Sequence, residues 1–157
     1  MKIIVMARPD GTMFTRTPVE PHDTDAETEE EYLARLASVN KKGATRVADI
    51  DHAELPADHA RFKAARRWNG TDVEIDMPKA REIHAEHIAT AQAAEIARLK
   101  VEERKERLKG NTAKANDHAA TIIALEALNL NALATQITAV PNPTALKAIW
   151  PALLPKS

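Results

Sequence analysis

One long helix with clear start and stop signals constrains this fold more than any other feature of the chain. Asp76 can accept hydrogen bonds from the free amides of a first helical turn, and Pro78 falls in that turn, where its missing N–H costs nothing. Gly110 and Asn111 form a typical helix end. The sequence therefore predicts a helix from about residue 77 to about Leu108.

A second helix is expected to fold back on the first. Thr112 opens it, it runs to about Ala127, and the short intervening turn predicts an antiparallel helical hairpin. Residues 128–143 stay ambiguous, because their alternation of Leu with Asn is weakly strand-like and two prolines end whatever precedes them. Residues 144–150 predict a short final helix, capped by Thr144 and broken before Pro151.

The N-terminal half has the pattern of short antiparallel strands with one helix. Residues 2–7 and 12–17 flank an Arg-Pro-Asp-Gly turn and predict a hairpin. A helix over about 27–38, capped by Thr24 or Asp25, and a strand over 44–50 follow. Asn69-Gly70 then indicates a second hairpin.

These elements predict an α+β fold with two domains. Residues 1–75 are expected to form a small module of short antiparallel strands. Residues 76–157 are expected to form a long helical hairpin with a short C-terminal helix.

Composition limits the classes of partner. Hydrophobic residues make up 44% of the 157, but aromatics only 3%, so the core is thin and an elongated shape or a homo-oligomeric interface is expected. A net charge of −1 does not steer the chain to nucleic acid or to an acidic membrane surface. No apolar run approaches the roughly 18 residues of a membrane span. We therefore expect no nucleic-acid partner and no membrane.

Catalytic and metal signals are weak. His84 and His87 share a helix face and could ligate a metal with a nearby acid, but no spacing supplies the further ligands convincingly. In a helical projection His84 falls on an apolar stripe and His87 at its edge, which favours contact with protein. The loop residues Asp49, Asp51, His52, Asp58 and His59 are either acid–base pairs or a solvated surface. We predict no catalytic residue, no cofactor and no metal site.

Apolar residues of the C-terminal region are the candidates for binding a partner. They would bury against the first helix or against a neighbouring chain. Trp150 either locks the last helix onto the hairpin or anchors a partner. The candidate partner-binding residues are Ile122, Leu125, Leu128, Leu133, Ile137 and Trp150.

Three local patterns occur in one order: the strand and helix start "VEIDMPKAREIH", a helical hairpin with a Gly-containing turn, and "PTALKAIWP". Together with "FKAARRW" and the opening "MKIIVMARPDG", they resemble a family of small bacteriophage proteins encoded with tail and tail-fibre genes, often described as tail-fibre-assembly or tail-assembly-chaperone-like. The resemblance covers residues 62–151 best. The matching residues are Val73, Ile75, Asp76, Met77, Lys79, Ala80, Arg81, Ile83, His84, Leu146, Lys147, Ala148, Trp150 and Pro151.

The resemblance implies a non-enzymatic structural or adaptor protein of the phage virion. Its partner would be a tail-fibre or baseplate protein, and it would be assembled in the cytoplasm of the bacterial host and retained in the phage tail. An alternative is a transient chaperone that shields a tail or fibre protein and then leaves. A third possibility, from another class, is a metal-dependent enzyme that uses His84 and His87.

Overall fold

The computed structural model describes residues 2–17, 27–38, 43–56 and 58–155. The fold is α+β, as the sequence predicts. The chain divides into two units, Met1–Asp76 and Met77–Ser157. The predicted boundary falls between residues 75 and 76, and the observed one between residues 76 and 77.

The first unit is organised around one strand that is buried on both faces. Within the described ranges, β1 lies at the centre of a three-stranded antiparallel sheet in the order β2-β1-β3. Side chains alternate between the two faces of a strand, and a continuous apolar run such as "IIVM" leaves neither face suited to water. The strands of this sheet are β1 (Lys2–Ala7), β2 (Met13–Arg16) and β3 (Thr45–Asp51).

Different elements cover the two faces of β1. On one face, Ile4 and Met6 pack against Tyr32 and Leu33 of α1 (Glu29–Ser38). On the other face, Val5 packs with Met13 of β2 and with Val73 from a second hairpin. The strands of that hairpin are β4 (Arg66–Trp68) and β5 (Val73–Ile75).

Local hydrogen bonds explain the ends of these elements. Asn69 accepts hydrogen bonds on its Oδ1 from the backbone amides of Thr71 and Asp72, which closes the predicted Asn-Gly turn. The predicted caps Thr24 and Asp25 lie outside the described residues. The cap observed is Thr28, whose Oγ1 accepts from the Glu31 amide while Glu31 accepts from the Thr28 amide and hydroxyl. These last two bonds lower the pKa of the Glu31 carboxyl.

The second unit is a helical hairpin followed by two short helices. The helix α2 (Met77–Leu108) begins directly after Asp76, as predicted, and α3 (Thr112–Glu126) returns along it. Gly110 lies in the short turn between the two helices and reverses the chain.

 

The φ of Gly110 itself is 75°, and that of Gly11 in the β1–β2 turn is 78°, both in the left-handed region that favours glycine. At the end of α2, the amide of Gly110 donates to the Arg107 carbonyl at 3.0 Å and that of Asn111 to the Glu106 carbonyl at 2.9 Å. This pair of bonds is the Schellman arrangement, which satisfies helix carbonyls that would otherwise lack partners.

The apolar stripe predicted for α2 is confirmed. Ala80, His84, Ile88 and Leu99 are buried, whereas His87 is exposed. The contrast follows from the helical period, since these four positions project on one side and His87 at its edge.

The ambiguous segment proves to be helical, so its strand-like reading is wrong. It forms α4 (Leu130–Ala139), in which Asn129 caps the first turn by accepting from the Ala132 amide at 3.0 Å. Leu130, Leu133 and Ile137 recur at helical spacing, and this period outweighs the short Leu-Asn alternation that precedes it.

The predicted cap of the last helix is also wrong. In α5 (Pro143–Ala148), Asn142 and not Thr144 is the N-cap, and its Oδ1 accepts from the Ala145 amide at 2.8 Å. The reason is Pro143, which suits the first helical position and moves the start of the helix ahead of Thr144.

Replacing Ile4 with Ala tests the central role of β1. Because Ile4 is 0% exposed and packs against α1, we expect the free energy of unfolding to fall by about 3 kcal/mol. Val47→Ala, at a partly exposed site on β3, is the control and should change it by less than about 1 kcal/mol. Chemical denaturation measures both, and equal effects would contradict the assignment.

Candidate functional site

Two side chains on the first turns of α2 hold the ends of the two short helices. His84 is 0% exposed, and its Nε2 lies 2.7 Å from the carbonyl oxygen of Ile149 at the end of α5. A carbonyl only accepts, so His84 donates this bond and its Nε2 carries a proton. Arg81 donates from Nη2 to the carbonyl of Val140 at the end of α4, at 2.7 Å.

These two bonds satisfy carbonyls that helix ends leave without an intrahelical partner. The cationic Arg81 also interacts favourably with the negative end of the α4 dipole. The segment "PKAREIH", which carries much of the sequence resemblance, therefore has a structural task in this chain. It tethers α4 and α5 to α2.

Trp150 reinforces the tether. Its ring centroid lies 6.0 Å from that of His84, with the two planes inclined at 56°. Its indole Nε1 donates to the carbonyl of Pro155 at 3.1 Å, which closes the chain after α5 into a turn. The indole is half-buried. This geometry matches the role of a lock for the C-terminal segment.

The predicted partner-binding residues do not form one surface. Ile122, Leu125 and Ile137 are buried within the helical unit, so they belong to its core. Leu128, Leu133 and Trp150 are partly exposed. Whether any of the six binds a partner stays a prediction.

An apolar groove of about 370 Å³ lies between α2 and α4. Leu133 and Ile137 are the predicted residues that line it, and Glu86 supplies the one acidic side chain of its lining. Its volume lies within the range of about 300–1,000 Å³ that is usual for ligand pockets. The lining residues are Ala85, Glu86, Ile88, Ala89, Leu130, Asn131, Leu133, Ala134 and Ile137.

Sequence reasoning missed the α2 wall of this groove. Ala85 and Ala89 lie one helical turn apart, so their small side chains leave room between the backbones of α2 and α4. Small residues at a spacing of four would have been the signal, but in an alanine-rich helix that signal is common.

The histidine pair of α2 is not brought together as a metal site. His84 is buried and bonded to Ile149, whereas His87 is exposed on the same helix. Within the part of the chain that the structure describes, no group of three or more His, Asp or Glu residues is placed to hold a metal ion.

The acidic and histidine residues predicted to lie in a loop begin within β3, where Asp49 and Asp51 are located, and they separate into two groups. Asp49 pairs with Arg46, which also binds Glu30, and these hydrogen bonds raise the pKa of the Arg46 guanidinium. His52 and His59 meet edge to face with ring centroids 5.3 Å apart. Asp49 is therefore engaged in an ion pair on β3, and the two histidines that follow the strand contact each other.

Across the described ranges, no single helix is long and apolar enough to cross a membrane. The bent pair α3 and α4, with an angle of 53° between them, passes the test of length and composition only when the two are taken together.

No protein-family model, curated protein or solved structure matches this chain.

Replacing His84 with Ala tests the tether. It removes a fully buried ring and the bond to Ile149, so we expect the free energy of unfolding to fall by about 3 kcal/mol. His87→Ala, three positions along the same helix but exposed, should change it by no more than about 0.5 kcal/mol. Thermal and denaturant unfolding measure both variants. An equal loss of unfolding free energy in the two would refute the tether.

Trp150→Ala should lower the free energy of unfolding by about 3 kcal/mol, because truncation removes the ring beside His84 and the bond to Pro155. The helical signal in circular dichroism follows the transition, because the second unit holds α2 to α5. An unchanged melting temperature would show that Trp150 does not hold the C-terminal segment.

Proposed function

We propose that this protein is a non-enzymatic structural or adaptor protein of the bacteriophage tail-fibre or baseplate region. The support is the resemblance carried by residues 73–84 and 146–151. The observation that carries a binding role is the groove between α2 and α4, whose lining is aliphatic apart from Glu86 and Asn131.

The groove suits an apolar segment of a partner protein. The small side chains of Ala89 and Ala134 leave space in it, while Ile88, Leu133 and Ile137 line it with aliphatic groups. Full burial of a side chain of Leu or Phe size contributes about 1.5–3 kcal/mol. One or two such side chains from the partner would therefore supply a substantial part of the binding free energy. Glu86 at the groove favours a segment that also carries Lys or Arg.

In this proposal the partner is a tail-fibre or baseplate protein, and the protein acts as a homo-oligomer within the virion. Assembly takes place in the host cytoplasm. Repeated copies would strengthen a modest groove contact through multivalency, because each further engagement becomes intramolecular.

A transient assembly chaperone is the alternative. It would use the same groove to cover an apolar segment of a tail or fibre protein, but would leave before the particle is complete. Exposed apolar side chains of this unit, such as Ile123 at 67% exposed and Leu153 at 48%, are compatible with such shielding contacts. The two roles differ in the composition of the finished particle.

Mass spectrometry of purified particles distinguishes the roles. A structural protein is expected in fixed stoichiometry with the fibre or baseplate proteins. A chaperone is expected only in assembling cells. Absence from intact particles would reject the structural role.

Ala134→Arg tests the groove itself. The long cationic side chain would fill the groove, so we expect incorporation into particles to fall by roughly tenfold or more while the melting temperature stays close to that of the parent. Ala132→Arg is the matched control, since Ala132 is exposed on the same helix and does not line the groove. Equal incorporation of the two variants would exclude the groove as the binding site.

A further inference from the structure

Arg66, at the start of β4, is a buried cation without a carboxylate partner among the described residues. Its residue exposure is 7%. Nη1 donates to the hydroxyl of Thr15 at 3.0 Å, and Nε donates to the backbone carbonyl of His59 at 3.2 Å. Both acceptors are neutral. Burial lowers the pKa of the Arg66 guanidinium, and no anionic group opposes that effect.

Such an arrangement is unfavourable, because a buried charge normally requires a counter-ion. The contrast with other arginines of this unit is direct. Arg46 pairs with Asp49 and Glu30, and Arg67, the next residue in β4, pairs with Glu74. Arg66 is more buried than either, yet only neutral oxygens face it.

One imidazole, that of His59, is close enough to this guanidinium to be affected by its charge, and a second imidazole contacts the first. His59, whose carbonyl binds Arg66, contacts His52 edge to face. The Nδ1 atom of His59 is buried and has no hydrogen-bond partner in the described part of the chain. His52 is exposed, so the cluster opens to solvent on its side.

The charged groups that shift the pKa of His59 are both basic. Burial lowers the pKa of His59 first, and the nearby Arg66 and His52 lower it further. The acidic neighbours along the chain are Asp51 and Glu54 beside His52, and Asp58 beside His59. Glu54 accepts a hydrogen bond from the Asp51 amide at 3.0 Å. No carboxylate is among the groups that shift the pKa of His59.

We propose that Arg66, His59 and His52 form a binding site for an oxyanion, meaning a sulfate, phosphate or carboxylate group. A guanidinium matches such groups geometrically, because its parallel N–H bonds meet two oxygens. The ligand supplies the counter-charge that Arg66 lacks, and His59 donates to it in its protonated form. This site lies in the first unit and does not depend on the groove or on a phage role.

Proton uptake follows from the geometry. In the free protein the folded-state pKa of His59 lies below its ordinary value of 6.5. An adjacent anion raises that pKa, so between the two pKa values the complex holds a proton that the free protein lacks. Affinity for the anion therefore increases as the pH falls.

Sulfate is the appropriate first probe, because its charge is constant between about pH 6 and pH 8, where histidine titrates. The full chain would be titrated with sodium sulfate at constant ionic strength and followed by amide and imidazole NMR signals. We expect saturable shifts centred on residues 58–67, with affinity weaker by roughly tenfold at about pH 8 than at about pH 6. Shifts without saturation, or spread over all basic residues, would overturn the site.

Variants assign the binding to side chains. Arg66→Gln should abolish saturable binding, whereas Arg67→Gln, the adjacent and more exposed arginine, should leave it unchanged. Equal loss in both would overturn the proposal. If Arg66→Gln does not fold, His59→Gln tests the site instead. This variant should bind sulfate more weakly, and its affinity should no longer depend on pH. A pH dependence that persists in His59→Gln contradicts the site.

Sodium acetate and inorganic phosphate identify the source of the ligand. Saturable binding of acetate at the same signals supports a carboxylate, such as that of an acidic protein segment. Binding of phosphate and sulfate without acetate supports a tetrahedral anion. Failure of all three anions would reject the oxyanion site.

Discussion

The hydrogen bond from His84 to the Ile149 carbonyl is the contact on which the position of α5 against α2 depends. The short helices α4 and α5 cannot bury enough surface to be stable alone, because isolated helices of this length are marginal in water. Fixing their final carbonyls to α2 through His84 and Arg81 gives each helix a defined place. The groove lies between α2 and α4, so the bond from Arg81 to the end of α4 helps to hold one of its walls in place.

Much of the architecture could be predicted because its signals are local. Asp76, Pro78 and Gly110 mark the ends of α2 within a few residues of themselves, and the apolar run of β1 already implies burial on both faces. The failures are local as well. Thr144 is a suitable cap by residue type, but Pro143 moves the start of the helix ahead of it. The Leu-Asn alternation predicts a strand, although Leu133 and Ile137 recur at helical spacing.

The candidate sites depend on contacts that the sequence order does not reveal. Arg66 meets Thr15, which lies 51 positions earlier in the chain. His84 meets Ile149 across 65 positions. By spacing alone, His84 and His87 could be two ligands of one metal ion, whereas in the structure His84 is buried and His87 is exposed. Conversely, His52 and His59 form a ring contact that the sequence does not predict.

The central position of β1 has a consequence for the order of folding. In the chain, β1 precedes the elements that cover it: α1 and β3 come later, and Val73 of β5 later still. The strand with the most continuous apolar surface is therefore covered only when elements that follow much later in the sequence have formed. Non-local contacts of this kind slow folding. The helical hairpin closes through a three-residue turn and has no such delay. A nascent chain is thus most prone to aggregate while β1 has emerged from the ribosome and its covering hairpin has not.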